Sequence, residues 1–570
     1  MAASLFVAIL DGVGLSMFLP LLQAAEGGGG GAVNEDLGGM AFVLEVFPLL
    51  GLTISLVSIL FVMLIFFCLK GVAKYYNTFY QVILQQRFTN ILRLRGMRLL
   101  SGYSYAEFSK ADSGRIQNSF SGEIGRVTSG FRFYFLMLQH IVMLTVYVGL
   151  AGLANPQFAV MVGIGGIISN LAFRQLYSKT KFASKEFTLE NHAFQGLLIQ
   201  AVAGFKYLKA TNIIQDYREK VEKSIVTLEQ HQRKMGTLNA IATAMREPII
   251  IFVVVASILV QVSLLGSSLG PLILSLLFLY RGLNSLVGFQ TAYNNFLSKT
   301  GALENNVAFE EELLEGQEVD NDRAYPGLQR AINLQGVNYS YGHEEVLRDI
   351  TLTIPKNKTI GIVGGSGAGK TTLVNIICGL LNVEPGMMTV DGVDSNHLNL
   401  EEYRSKIGYV TQEAHIFSDT IFNNVSCWDP PTADVKERVW EALRLAHAVD
   451  FVEELPEGVD TVVGINGLNL SGGQRQRVSI ARELYRHVDI LIMDEATSAL
   501  DSQSEKSIQE NIDSLSGKYT MFVIAHRLST IRHADLIIFL EPGGHYRMGT
   551  FEELQEVSPS FRHMVELQTV

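Results

Sequence analysis

The sequence predicts a polytopic α-helical membrane domain followed by an α/β domain with a largely parallel sheet. Apolar segments long enough to cross a bilayer are confined to the first half of the chain, and basic residues alternate between the connections that join them. Further along, short β-rich runs alternate with amphipathic helical stretches. We therefore divide the chain into a membrane domain at 1–300, an acidic, proline-containing linker at 301–330 and an α/β domain at 331–570.

The bulk composition supports a chain that is partly embedded in lipid. Of the 570 residues 48% are hydrophobic and 18% are charged, against roughly 25% charged in ordinary soluble domains. The mean hydropathy is +0.23. The formal net charge of −11 argues against nucleic-acid binding, which needs a basic face to replace phosphate counterions. Cys68, Cys378 and Cys427 are widely spaced, so we predict neither a disulfide framework nor a zinc site.

Six apolar segments are predicted to cross the membrane as helices, which satisfy their own backbone polar groups in lipid. They cover residues 4–23, 50–69, 133–154, 157–176, 248–266 and 269–294. Lys and Arg are absent from 1–69, 133–173 and 247–280 but plentiful in 70–132 and 174–246. The positive-inside rule places the basic connections and both termini in the cytoplasm, and we expect the bacterial inner membrane. The first segment lacks the basic start of a signal peptide, which is the alternative interpretation.

The two long basic connections are predicted to form stalks beyond the membrane. Each is long enough for two helices that leave the bilayer and turn back, and the helical pattern breaks near Tyr105–Lys110 and Ala210–Tyr217. These two breaks are the candidate stalk tips. Solvated hairpins without a further role are the alternative interpretation. On the opposite side, residues 34–47 are predicted to form a short amphipathic helix.

Arg281 is the most informative charge inside a predicted span. An arginine at the centre of a membrane helix costs at least ~2.5 kcal/mol, so it must face a cavity or a partner. One hypothesis is that Arg281 meets the anionic head group of a substrate. The other is a structural ion pair with Asp11 in the first span, or extension of the side chain towards water.

A phosphate-binding loop is predicted near the start of the α/β domain. The strand-like run TIGIVG (359–364) leads into GGSGAGKTT (364–372) and then into the helical run LVNIICGLL. Glycines let the backbone amides wrap phosphates, and the helix N-terminus adds the positive end of its dipole. Lys370 is placed to reach the β- and γ-phosphates and Thr371 to bind Mg²⁺, so ATP and Mg²⁺ are the predicted cofactors.

Two further strands end in residues suited to ATP chemistry. VDILIMDEA (488–496) ends in Asp494, which suits Mg²⁺, and in Glu495, which is placed to polarise the attacking water. YTMFVIAHRLS (519–529) ends in His526. A solvated strand end is the alternative for Asp494 and Glu495, but they lie downstream of a phosphate loop at the carboxyl ends of parallel strands, where ligands bind. A structural histidine is the alternative for His526, but its placement after the strand that ends in Asp494 and Glu495 favours a functional role.

The segment LNLSGGQRQR (468–477) resembles the signature sequence of ABC-transporter ATPases. Other family elements follow in register over 331–570. Tyr341 in NYSYG is similar to the aromatic residue that stacks on adenine, Gln412 in IGYVTQ to the glutamine that senses Mg²⁺, and SALD, ending at Asp501, to the D-loop. The resemblance implies catalytic roles for Glu495, His526, Lys370 and Gln412, and metal contacts for Thr371, Gln412 and Asp494. The nucleotide-binding set is Tyr341, Gly364, Gly365, Ser366, Gly367, Ala368, Gly369, Lys370, Thr371, Thr372, Gln412, Ser471, Gly472, Gly473, Gln474 and Asp501.

The resemblance also implies a dimer. In that family each ATP lies between the phosphate loop of one ATPase domain and the signature of another, so a second copy of this chain is the simplest partner. A heterodimer with a similar half-transporter is the alternative. The order of membrane domain and then ATPase resembles ABC exporters, in which stalk tips act as coupling helices. The family stretch TEVGERG reads TVVGING (461–467) here.

The predicted activity is ATP-driven export or flipping of an amphipathic substrate by alternating access. Residues 9–22 and 280–296 are similar to lipid-linked oligosaccharide flippases, which favours such a lipid or another one as substrate. The alternatives are a multidrug or peptide exporter and, from another class, a nucleotide-gated channel or regulator on the same scaffold.

Overall fold

The computed structural model describes most of the chain, in two compact units. The described residues are 2–18, 20–21, 44–49, 51–154, 156–263, 269–319, 321, 323–464, 467, 469–494, 510, 514–525 and 527–568. One unit comprises Met1–Tyr103 and Glu107–Gln317, and the other comprises Ser104–Ala106 and Glu318–Val570.

The chain up to Gln317 is helical over most of its described length. The helices are α1 Ala2–Ser16, α2 Val46–Leu49, α3 Leu56–Ser101, α4 Tyr105–Phe108, α5 Ser113–Asn118, α6 Ile124–Ala154, α7 Pro156–Ala203, α8 Phe205–Ala210, α9 Ile214–Ser263, α10 Leu269–Leu297 and α11 Thr300–Glu315. A π-helical turn, Ser119–Glu123, joins α5 to α6. The start of α3 is fixed by a capping box between Ser55 and Ser58.

Each predicted span overlaps one helix of this set. Within the described residues, Leu56–Ser101 and Ser113–Ala154 are long and apolar enough to cross a membrane. The other four predicted spans run partly over positions or side chains outside the described set. The predicted outer helix at 34–47 also lies mostly outside it, with α2 at its end.

Long helices cover the two connections that are predicted to form stalks. α3, α7 and α9 contain 46, 48 and 50 residues, about twice the ~20 that cross a bilayer. The first tip lies where we predicted it, at α4. The second short helix is α8, which precedes the predicted segment 210–217. Gly204 ends α7 before it, and Asn212 adopts the left-handed region (φ 59°) to turn the chain into α9.

Half of the segment 301–330 is helical, although the sequence predicts a linker there. α11 buries Phe309 and Leu313, which are 5% and 1% exposed. Its acidic residues pair with basic residues of other helices in this unit: Glu312 lies 2.7 Å from Arg115 in α5, and Glu304 lies 2.5 Å from Lys185 in α7. The acidic composition thus reflects complementary partners as well as contact with water.

The described part of the second unit contains two sheets. The strands are β1 Ala331–Tyr341, β2 Glu344–Pro355, β3 Thr359–Gly364, β4 Met388–Val390, β5 Val393–Asp394, β6 Ile407–Val410, β7 Ile490–Asp494, β8 Thr520–Ile524, β9 Leu536–Leu540 and β10 Tyr546–Gly549. The helices are α12 Lys370–Ile377, α13 Leu400–Ser405, α14 Ile421–Ser426, α15 Ala433–Leu445, α16 Val449–Glu453, α17 Gly472–Tyr485, α18 Phe551–Val557 and α19 Pro559–Gln568. The smaller sheet has the order β2-β1-β4-β5 and is antiparallel, and the larger has the order β10-β9-β3-β8-β7-β6.

The larger sheet is parallel from β9 to β6, and only β10 runs antiparallel to its neighbour. Its strands bury both faces. In β7, Ile490 and Ile492 belong to one apolar core, and Leu491 and Met493 belong to the other. A strand that is covered on both sides reads as a continuous apolar run, which is the pattern of VDILIMD. The α/β prediction is confirmed.

Candidate nucleotide-binding site

The parallel sheet brings the ends of four strands to one edge. β3 ends at Gly364, β7 at Asp494, β8 at Ile524 and β6 at Val410, and all four run in the same direction. The phosphate loop and Asp494 therefore lie at the carboxyl edge of the sheet. Gln412 follows β6 by two residues, and position 526 follows β8 by two. This edge is where open α/β sheets bind their ligands.

The glycine loop requires backbone conformations that side chains rarely adopt. Gly367 and Gly369 have φ values of 77° and 95°. A Cβ on Gly369 would also lie 2.8 Å from Cδ2 of Leu347. A substitution at Gly369 is therefore strained both by its backbone and by its neighbours.

Lys370 is the first residue of α12 and is held over the loop. Its ammonium group donates to the carbonyl oxygens of Gly364 and Gly365, both at 3.0 Å, and the residue is 9% exposed. Of the next two residues, Thr371 is exposed and Thr372 is buried. A buried cation at the N-terminus of a helix, beside a glycine-rich loop, is an arrangement that attracts phosphate.

Asp494 has a neighbour that the sequence did not indicate. The hydroxyl of Tyr409 in β6 donates to Oδ2 of Asp494 at 3.2 Å. Burial, followed by the charge of Asp494, raises the pKa of Tyr409 above its ordinary value. The phenol therefore stays protonated and remains a hydrogen-bond donor to the carboxylate.

The signature segment caps a helix of 14 residues. Ser471 is the N-cap of α17: its Oγ accepts from the Gln474 amide at 3.2 Å, and Oε1 of Gln474 accepts from the Ser471 amide at 2.8 Å. Gly472 and Gly473 form the first turn. Arg475 donates to the carbonyl oxygen of Leu470 at 2.9 Å and holds the chain that enters the cap.

The remaining predicted residues differ in exposure, and three of them are not among the described residues. Tyr341 ends β1, is 47% exposed, and lies edge-on to the Tyr339 ring with 5.2 Å between the ring centres. Ala368 is 6% exposed, and its amide donates to Gly365 within the loop that also contains Ser366. Gln412 is exposed. Glu495, Asp501 and His526 lie outside the described residues.

Arg281 in the helical unit faces Asp11. Its Nε lies 4.0 Å from Oδ2 of Asp11, whose side chain is 3% exposed. Asp11 also pairs with Lys70 and accepts a hydrogen bond from the hydroxyl of Tyr147. One buried carboxylate thus joins α1, α3, α6 and α10. Of the two hypotheses for Arg281, this contact matches the structural ion pair with Asp11.

The donor set at the sheet edge fits Mg²⁺ bound together with a nucleotide. The Asp494 carboxylate and the Thr371 hydroxyl are hard oxygen ligands, and Mg²⁺ commonly takes one or two protein ligands with the substrate phosphates. In the described part of the chain, no group of three or more His, Cys, Asp or Glu side chains could hold a metal without such help.

The fold and this site define a P-loop ATPase domain on the same chain as a helical membrane domain. The family model for the ABC transporter transmembrane region matches residues 4–283, and the model for the ABC transporter matches residues 347–498. The chain belongs to the ABC transporter family, is a membrane protein and has the ABC exporter fold. The match of residues 347–498 to the ABC transporter model implies a domain that binds ATP.

The chain is also similar to individual bacterial proteins. The chain is 33% identical over 404 residues to the ATP-dependent lipid A-core flippase of Vibrio vulnificus (strain YJ016), covering 68% of each chain. It is 33% identical over 379 residues to the protein of that name in Coxiella burnetii, covering 65% of this chain and 63% of that one. It is 29% identical to the heterocyst differentiation ATP-binding protein HepA of Nostoc, covering 86% and 80%.

A solved structure shows the same fold along the chain. It is the structure of a bacterial Atm1-family ABC exporter with ATP bound, with a TM-score of 0.79 and 22% sequence identity. The similarity covers 100% of this chain and 98% of that one.

Proposed function

We propose that this chain acts as a dimer that flips an amphipathic lipid across the membrane with the energy of ATP. The observation that carries the proposal is the fusion of a transmembrane region and an ABC ATPase in a chain similar to ATP-dependent lipid A-core flippases. A lipid-linked oligosaccharide or another lipid with a large polar head group is the favoured substrate class.

The ATP site of the proposal uses the sheet edge of one chain and the signature of another. Lys370 and the amides of 364–372 bind the phosphates, Tyr341 stacks on adenine, and Thr371, Asp494 and Gln412 bind Mg²⁺. Glu495 polarises the water, His526 takes part in catalysis, and Asp501 belongs to the nucleotide-binding set. Ser471, Gly472, Gly473 and Gln474 of a second copy close the site. The buried, loop-bound ammonium of Lys370 and the capped N-terminus of α17 support these roles.

The assembly in this proposal is a homodimer in a bacterial inner membrane with the ATPase domains in the cytoplasm. We propose the divisions 1–300, 301–330 and 331–570 for the membrane domain, the connection and the ATPase domain. Closing two ATP sites turns the membrane domain outward, and hydrolysis resets it. The membrane domain is then in equilibrium between an inward-facing and an outward-facing state. Shifting this equilibrium from mostly inward to mostly outward needs roughly 5.5 kcal/mol of differential binding, which two ATP molecules at an interface can supply.

The substitution Glu495→Gln tests the assigned chemistry. The amide keeps the shape of the side chain but cannot polarise water as a base, so ATP should still bind and close the dimer while turnover stops. ATP hydrolysis in nanodiscs checks this, and hydrolysis at the wild-type rate would refute the role.

Transport is tested separately in proteoliposomes. Wild-type protein should move a labelled lipid between leaflets only with ATP and Mg²⁺, and Glu495→Gln should not. Stimulation of hydrolysis by polyprenyl-linked sugars, lipids, peptides and drugs then ranks the substrate classes. Stimulation by peptides or drugs alone, without lipid movement, would contradict the proposed substrate class.

A further inference from the structure

A buried arginine ties the signature helix to the chain that follows Gln412. Arg482 belongs to α17 and is 8% exposed. Its Nε donates to the carbonyl oxygen of Asn424 at 2.7 Å, and its Nη2 donates to Oδ1 of Asn424 at 2.8 Å. Its Nη1 donates to the carbonyl oxygen of His415 at 2.8 Å. All three guanidinium nitrogens therefore bond to the segment 415–424.

Asn424 also forms hydrogen bonds with other residues of the segment 415–424. It is 1% exposed. Its Nδ2 donates to the carbonyl oxygens of Phe417 and Thr420, both at 2.9 Å, and its Oδ1 accepts from the Phe417 amide at 2.9 Å. A fully paired buried network specifies one arrangement, because leaving any member unpaired costs its desolvation energy.

An exposed tryptophan reports on the same segment. The Cζ of Arg482 lies 5.0 Å from the centre of the Phe417 ring, which lies 4.8 Å from the ring of Trp428. The indole N–H of Trp428 donates to Oδ2 of Asp419 at 2.9 Å. Trp428 therefore touches two residues of the segment 415–424, and its motion follows theirs.

We propose that Arg482 and Asn424 are positioning residues that make the segment 415–424 and the signature helix α17 one rigid body. The position of Ser471 and Gln474 at the start of α17 is then set by the chain that follows Gln412, and a movement that begins at Gln412 reaches the signature without loss. The inference rests on the proposed function, in which the signature completes the ATP site of a second copy. In this proposal Arg482 acts through the position of the signature.

The expected result is a loss of turnover at nearly unchanged ATP affinity. ATP is first held by the Lys370 loop of its own chain, which Arg482 does not touch. A displaced signature lowers only the rate of the closed site, where small misplacements have large effects. Defective folding of the ATPase unit would instead weaken binding and turnover together.

The experiment uses the full-length protein in nanodiscs with the background substitution Trp440→Phe. The sequence contains two tryptophans, so this leaves Trp428 as the single reporter. Arg482→Lys keeps the charge but cannot supply the three-nitrogen fork. We expect kcat to fall at least ~10-fold while the Kd of a fluorescent ATP analogue changes less than about twofold. We also expect lower anisotropy of Trp428 and stronger quenching by acrylamide.

Arg438→Lys is the matched control. Arg438 lies over the Tyr485 ring at 4.4 Å and donates to the Tyr485 carbonyl at 3.3 Å, so it contacts α17 at its end but does not contact 415–424. It should leave both kcat and Trp428 unchanged. Asn424→Asp keeps the acceptor for Arg482 but removes both Nδ2 donors, and it should show a smaller effect in the same direction. This variant carries the test if Arg482→Lys does not fold.

Wild-type kcat and Trp428 signals in Arg482→Lys or, where it is needed, Asn424→Asp would overturn the inference. Parallel losses of kcat and ATP affinity in these variants would also overturn the inference. An equal loss of kcat in Arg438→Lys would overturn it as well. A wild-type protein that never hydrolyses ATP contradicts the proposed function instead. The Trp428 comparison without nucleotide still tests the positioning network in that case.

Discussion

At the scale of single residues, the orientation of Asp494 depends on a side chain from the neighbouring strand. Tyr409 lies in β6, which pairs with β7 in parallel, and its hydroxyl reaches the Asp494 carboxylate diagonally across that pair. A carboxylate that already accepts one hydrogen bond has fewer orientations to lose when it binds a metal. Neighbours of this kind tune metal ligands in many sites.

Tyr409→Phe is predicted to weaken the use of Mg²⁺. Removing the hydroxyl takes one hydrogen bond from the Asp494 carboxylate, so the Mg²⁺ concentration for half-maximal ATP hydrolysis should rise by about 10-fold. Binding of ATP without Mg²⁺ should not change. Tyr403→Phe is the control, because Tyr403 is a buried tyrosine of the same unit whose hydroxyl donates to the Ile377 carbonyl instead of Asp494. Equal Mg²⁺ dependence in the two variants would contradict the role of Tyr409.

The sequence predicts the residues that lie in motifs but not the residues that hold them. Lys370 lies where its loop predicts, because its position follows from the glycines directly before it. Tyr409 and Asn424 act on partners 85 and 58 positions away, and only the fold brings these pairs together. No local pattern marks such residues, since an isolated Tyr or Asn in an apolar run is equally typical of ordinary core packing.

At the scale of elements, α11 shows how composition can mislead. The acidic residues of 301–315 indicate a solvated linker when they are considered alone. They pair instead with basic residues that lie far earlier in the chain, including Arg115 and Lys185. Exposed pairs of this kind contribute only about 0–1 kcal/mol each, so the apolar face of α11 must supply most of its stability.

Leu313→Ala tests the contribution of that face, with Leu314→Ala as its control. The two neighbours are 1% and 47% exposed. Removing the buried side chain should cost about 2–5 kcal/mol, whereas its exposed neighbour should cost much less. Thermal unfolding in detergent, followed by circular dichroism, should therefore show a lower Tm for Leu313→Ala only. Equal Tm values would mean that α11 is not packed as described.

At the scale of the whole molecule, the proposed function requires the chain to carry both kinds of half-site. The phosphate loop and Asp494 lie at the edge of the parallel sheet, and Ser471 begins a helix elsewhere in the same unit. The chain-level architecture was predictable, because apolar spans, charge alternation and the motif order act over long segments. The partner of each half-site was not, since one sequence does not state whether its halves meet within a chain or between two.

Mixing two inactive variants tests most directly whether each ATP site is built from two chains. Lys370→Ala disables the phosphate loop and Ser471→Ala disables the signature, so each should abolish ATP hydrolysis when expressed alone. In a two-fold dimer with sites shared between chains, a mixed pair of these variants places both substitutions in one site and leaves the other intact. We predict that co-expression restores hydrolysis in the mixed dimer. Complete inactivity of the isolated mixed dimer would contradict a site built from two chains.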